Sequence, residues 1–226
     1  MVNVDDIIQM FTDRVFKDKS MQSLRSKISK DGTFEDVEEY AKLLGEILDD
    51  TIKDVPIDEL EPILEALTKL EGKYINGVSA FVQQRINKEL GTDLGAVIEE
   101  KTQNLVLETY KQSKYIENPE DLYTKLKNSA ITENLKQVDN FQKKNAEFHS
   151  NIGFNVTVTR IYDEIGLRDR TQPCQWCLSR CGVDVPYDEA IDRGMFERHE
   201  GCGCKIIYKT VDFTSVQRRK GAWTYE

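Results

Sequence analysis

Histidine is nearly missing from this chain, with two among 226 residues. That scarcity excludes a zinc protease of the H-E-x-x-H type: His199-Glu200 opens like one, but the second histidine would fall at Gly203. No apolar run approaches the roughly 20 residues a membrane span needs, so no membrane partner is expected. The phosphate-binding pattern G-x-x-x-x-G-K-[ST] is missing, as are the serine-nucleophile pattern G-x-S-x-G and the dinucleotide pattern G-x-G-x-x-G. Paired carboxylates occur only where acidic residues are abundant. The sequence is therefore read as non-enzymatic, with no small-molecule substrate. Positive charge is also in deficit. The net charge is -9, from 31 basic and 40 acidic residues. Residues 151–226 hold 11 of each sign, leaving 20 basic and 29 acidic to the first 150. A body this acidic is not expected to bind nucleic acid by itself, because binding draws on Lys and Arg at phosphates. The balanced C-terminal part remains a candidate for local contact.

The segment Met1 to Phe11 carries Asp5 and Asp6, with no basic stretch ahead of an apolar core. It does not read as a secretory leader. The expected compartment is a reducing cytosol, where disulfides are rare. Five cysteines, an odd number, agree with that.

All five lie between Cys174 and Cys204, together with one of the two histidines. The pattern is C-x2-C-x21-H-x2-C-x-C, from Cys174 and Cys177 to His199, Cys202 and Cys204. One zinc ion needs about four N/S donors around a common point. Cys174-Gln175-Trp176-Cys177 can form a knuckle on one side of such an ion. His199, Cys202 and Cys204 offer three donors for the other side, of which two are needed, and the spacing leaves open which. A redox C-x2-C would open a helix in a βαβ unit, and no such unit is legible. A donor set with at least three sulfurs describes a closed, structural ion rather than one that keeps a place for water. Cys181 is read as a leftover buried thiol. His149, with no cysteine nearby, is read as a surface or capping residue.

The first 150 residues read as helices. Val4, Ile7, Ile8, Phe11 and Val15 keep helical spacing, and Met21, Leu24 and Ile28 make a second short stripe. Thr33 and Asp36 resemble a capping box ahead of Phe34, Val37, Ala41, Leu44 and Leu48. Val55-Pro56 closes that helix. A long stripe from Leu60 to Val82 runs to a stop at Leu90-Gly91. Thr92 or Asp93 is expected to start another helix, carried by Leu94, Val97, Ile98, Leu105 and Val106. Asn118-Pro119 opens a short segment through Leu126, and a last helix is expected from about Thr132 to Phe148. These stripes are core-facing. The acidic runs Glu35-Asp36, Glu38-Glu39 and Asp49-Asp50 are expected to be solvated.

The pattern changes at Ser150–Gly153. Asn155–Arg160 alternates and is rich in β-branched residues, so it predicts a strand. Tyr187 to Phe196 predicts a short helix, and Lys205–Tyr208 a second strand. The expected fold is α+β: a helical domain over 1–150, then a small zinc-stapled module over 151–226. A module of that size has few apolar residues for a core, and a metal staple contributes most there. Arg218, Arg219 and Lys220 form a basic tail, a candidate contact for nucleic acid or capsid.

Arg168 to Cys177, followed by Arg198-His199-Glu200-Gly201-Cys202-Gly203-Cys204, resembles the C-terminal motif of the tailed-phage minor head proteins. This is the head-morphogenesis family of the Mu F-like and SPP1-type minor capsid proteins. The resemblance covers about the last third of the chain. Gly203 stands where the family often has a basic residue, and Cys181 is additional. The resemblance implies a low-copy virion component associated with the portal or the inner capsid, assisting head assembly and DNA packaging or release. Its partners would be the portal, the major capsid protein and packaged DNA. The corresponding motif residues are Cys174, Cys177, His199, Cys202 and Cys204. A zinc-module nucleic-acid-binding regulator is the alternative, and the balanced C-terminal charge counts against it. A zinc hydrolase would need Glu197 or Glu200 beside an open ion.

Overall fold

The computed structural model describes residues 2–98, 105–115, 118–163 and 174–211. The fold is α+β, mainly helical, with one three-stranded antiparallel sheet near its C-terminal end. In chain order the elements are α1 (Val4–Lys17), α2 (Lys19–Asp31), α3 (Phe34–Ile52), a 3-10 turn at Ile57–Glu59, α4 (Leu60–Glu89), α5 (Leu105–Ser113) and α6 (Pro119–Asn151). Then follow β1 (Asn155–Ile161), α7 (Gln175–Leu178), β2 (Gly182–Pro186), α8 (Tyr187–Asp192) and β3 (Lys205–Val211). No helix among the described residues is long and apolar enough to cross a membrane.

The described residues group into two compact units. The first takes residues 2–82, 105–115, 118–138 and 198–202. Local chemistry starts its helices. Asn3 accepts the Asp5 amide, with Asp5 and Asp6 in the first turn of α1. Asp18 closes α1 and caps α2, accepting the Met21 amide at 2.8 Å. Asp36 accepts the Thr33 amide at 2.7 Å, so the capping box forms. The core is apolar: Phe11, Val15, Met21, Leu44, Leu48, Leu64, Leu67, Ile75 and Leu126 are fully buried. At Gly45 a Cβ would stand 2.6 Å from Ile131 Cγ1, so a side chain on α3 there would collide with α6.

Three expectations need correction here. The stretch 92–98 is not helical. Asn145 takes both backbone groups of Val97, at 2.9 and 3.0 Å, and Asn87 donates to the Leu94 carbonyl. The backbone groups of this stretch are thus engaged by side chains of other elements. The two helices expected on either side of Thr132 are one, α6. Its middle buries the polar residues Ser129, Thr132, Glu133, Asn134 and Gln137 among the apolar Ala130, Ile131, Leu135 and Val138, so polar side chains interrupt the apolar stripe there. Finally, Asp36 and Glu38 are buried rather than solvated. Burial opposes the charge of Asp36, but Lys27 at 2.5 Å and the Thr33 donors outweigh it and hold the carboxyl below its usual range.

The second unit takes residues 83–98, 139–163, 174–197 and 203–211. Its sheet order is β2-β1-β3. β1 pairs with β3 from Asn155↔Val211 to Ile161↔Lys205, and with β2 through Val158↔Val185 and Arg160↔Gly182. The register with β2 slips between Val158 and Arg160. Asp184 holds φ 50 there, its amide donating to Thr159 Oγ1 at 3.0 Å. Val156, Val158, Ile206, Tyr208, Ala190 and Met195 form the core. His149 belongs to it as well, 0% exposed, which corrects the surface reading. Its Nε2 lies 2.9 Å from Asn87 Oδ1 and its Nδ1 lies 2.8 Å from Thr210 Oγ1. Because Asn87 Nδ2 donates to the Leu94 carbonyl, its Oδ1 is an acceptor, so Nε2 carries the proton and Nδ1 accepts from Thr210. Burial holds the imidazole below its ordinary pKa, in the neutral form.

Candidate metal centre

Cys174 precedes α7, and Cys177 sits one turn into it. The Leu178 amide returns to the Cys174 carbonyl at 2.9 Å, and the Cys174 amide donates to the Tyr162 hydroxyl at 2.8 Å. Those two bonds fix the knuckle. The second cluster is a turn followed by extended chain. The Cys202 amide donates to the His199 carbonyl at 3.2 Å, and Gly201 between them has φ 71. A side chain at Gly201 would be strained. Its amide donates to Thr132 Oγ1 at 3.2 Å. Cys204 leads directly into β3.

These elements bring the expected ligands together. The ligand atoms of Cys174, Cys177 and His199 lie within 4.8 Å of one another, and so do those of Cys177, Cys202 and Cys204. Cys177 belongs to both triads. It is buried with Cys202 and Cys204, while Cys174 and His199 are half-exposed. All five cysteines are unbridged thiols. His199 Nδ1 lies 2.7 Å from the Glu200 carbonyl. A proton on Nδ1 satisfies that carbonyl and leaves the Nε2 lone pair for an ion, the usual outer-shell arrangement for a histidine ligand. The donor set therefore fits a metal ion, and sulfur-rich donors favour soft or borderline cations. Neither triad includes a carboxylate. Glu197, a candidate base by sequence, instead pairs with Arg180 at 3.7 Å.

Several residues around the cluster had no signal in the spacing. Arg160 on β1 is fully buried and donates to the carbonyls of Met195 and Glu197. Arg180 lies 3.8 Å from the centre of the Trp176 ring, and Arg160 lies 5.4 Å from it. Two guanidiniums thus flank the indole inside the knuckle, a favourable arrangement for a π face. Arg193 donates to the Cys181 carbonyl. Cys181 is not remote from the cluster. Its thiol donates to the Cys177 carbonyl at 3.3 Å and makes a side-chain hydrogen bond with Cys204. Burial, and then the neighbouring Cys204, push that thiol up. The basic tail of Arg218, Arg219 and Lys220 lies outside the described residues.

No family model, curated protein or solved structure matches this chain.

Proposed function

We propose that this chain is a structural, non-enzymatic minor head protein of a tailed phage, whose C-terminal module is held by structural zinc. The observation that carries the reading is the convergence of Cys174, Cys177, His199, Cys202 and Cys204 into two triads sharing one thiol. The same residues, in the same order ahead of a strand, make up the motif that resembles the head-morphogenesis family. Zinc is favoured among divalent ions because thiolate and imidazole suit it and it needs no redox partner. Thiolate donors also keep a bound water a poor acid, which supports a structural role over a hydrolytic one.

The acidic helical residues would then face proteins rather than DNA, with the portal and the inner capsid as partners. The module and the basic tail would supply any DNA contact. The protein would reside in the virion and in the host cytoplasm during assembly. Mass spectrometry of purified particles tests this reading, with the copy number of the chain measured against the portal. A few copies per particle, retained after salt washing, are expected. A chain found only outside particles, with salt-sensitive nucleic-acid binding, would replace this reading with the regulator.

A further inference from the structure

Two of the five candidate ligands, His199 and Cys202, lie in the segment 198–202, which belongs to the first compact unit. Glu38 and Thr132 belong to the same unit. The turn that carries the two ligands has little to hold it from within. It closes on one backbone bond, from the Cys202 amide to the His199 carbonyl at 3.2 Å, and it reverses at Gly201, where φ is 71. Glycine permits that conformation without enforcing it, and it has more freedom to lose on ordering than any other residue. Order must come from outside the turn.

Two helices supply it. Thr132 on α6 is fully buried and gives its hydroxyl proton to the Asn128 carbonyl at 2.8 Å. Its oxygen is thus left to accept the buried Gly201 amide, at 3.2 Å. Losing that acceptor would leave a buried donor unmade, so the bond fixes the peptide between the two ligands. Arg198, the residue before the turn, sends one arm to the Cys202 carbonyl at 3.1 Å and another to Glu38 on α3 at 3.3 Å. Glu38 keeps the guanidinium in place, because a buried cation is stable only beside compensating charge.

We propose that Thr132 and Glu38 are positioning residues for the metal: the helices order the turn of His199 and Cys202 before an ion binds. The inference rests on the zinc reading above. It puts control of affinity in side chains that touch no ion. A turn ordered in advance loses less freedom on binding, which tightens the complex. It also means that residues 151–226 do not hold their own donor turn, since α3 and α6 supply its supports.

The test is cobalt binding by the full chain. Affinity is read by competition with a chelator of known strength, and coordination from the visible spectrum. Thr132→Val keeps nearly the same shape and removes the acceptor, whereas Thr132→Ser keeps the hydroxyl. Affinity should fall about 10- to 100-fold in Thr132→Val and return toward wild type in Thr132→Ser, with the thiolate bands unmoved. Glu38→Gln, which strands the Arg198 charge, should weaken binding likewise. Circular dichroism selects conditions in which each variant keeps its helices, so that lost affinity is not lost folding. Hydrogen exchange of the metal-free wild type needs no variant, and there the Gly201 amide should already be protected. Wild-type affinity in both Thr132→Val and Glu38→Gln, or free exchange of the Gly201 amide, overturns the positioning role and leaves the zinc reading standing. Affinity lost in only one of the two variants overturns the role of the other residue. A wild-type chain that binds no cobalt overturns the zinc reading and this one with it.

Discussion

Arg198 meets Glu38 at 3.3 Å across 160 residues of chain, with 0% and 5% of their side chains exposed. The same guanidinium donates to the Cys202 carbonyl at 3.1 Å. It therefore holds both ends of the His199–Cys202 turn that carries two candidate ligands. A buried pair of this kind gains little over a well-packed apolar pair, but losing one partner strands the other charge. Glu38→Leu alone should cost about 3–5 kcal/mol in urea denaturation. The double variant Glu38→Leu, Arg198→Leu should recover much of that loss. If the double variant is as unstable as the single one, the pair is not what the substitution disturbs.

Glu71 gives a pH dependence with an unusual sign. Its side chain is fully buried, Oε1 accepts from Asn134 at 3.0 Å, and Oε2 has no hydrogen-bond partner among the described residues. Burial pushes its carboxyl up to about 8, with Asn134 opposing that rise and Glu133 adding to it. The unfolded chain ionises near 4.5 while the folded chain keeps the proton to about 8. Folding therefore takes up a proton in that window, and stability falls as pH rises through it. Glu71→Gln mimics the protonated acid. Its advantage over wild type should be absent below pH 4.5 and grow to a few kcal/mol by pH 8, on the order of 1.4 kcal/mol for each pH unit climbed. Glu133, pushed up to about 7 by its own burial, leaves part of the slope in the variant. Urea midpoints taken across pH 4–9 measure the difference.

His149 works in the opposite sense. Its imidazole is buried, neutral and bonded at both nitrogens, and burial lowers its pKa from the ordinary 6.5. Below that value the unfolded chain binds a proton that the folded chain refuses. Stability should thus fall as pH drops through 6.5, and amide exchange along β1 and β3 should quicken there. His149→Gln retains one hydrogen bond and should remove this acid sensitivity while lowering stability at neutral pH.

Residues whose job is local were legible in the sequence. The capping box at Thr33 and Asp36 acts within one helical turn, and the alternation of Asn155–Arg160 marks β1 directly. The clustering of the cysteines with His199 was legible because soft donors are scarce and their spacing is short. The residues that escaped all depend on distant partners. Nothing near Glu38 announces that Arg198 will neutralise it. Nothing near His149 announces Asn87 and Thr210, 62 and 61 residues away. β2 was missed because Gly182–Pro186 is short, and only Val185 of its residues is buried. The middle of α6 was misread because its buried face mixes bonded polar side chains, as Asn134 to Glu71 and Gln137 to Asn76 show, with apolar ones such as Ile131 and Leu135.

Metal removal and Cys174→Ser should act on the same part of the chain. The sheet is small, and its apolar core amounts to Val156, Val158, Val185, Ile206 and Tyr208 with the residues around α8. Burial on that scale leaves little margin against the entropy of ordering the loops between the strands, so a staple contributes a large share. The helical core from Phe11 to Leu67 rests on many fully buried apolar side chains and is expected to hold without the ion. Chelation should therefore expose β1–β3 to protease and hydrogen exchange while α1–α3 stay protected. Cys174→Ser should reproduce the pattern without chelator. Added zinc should restore protection to the chelated wild type and much less to the variant. Equal loss of protection in α1–α3 and in β1–β3 would contradict the staple, because it would mean that the ion supports the whole chain or that the substitution unfolds it by another route.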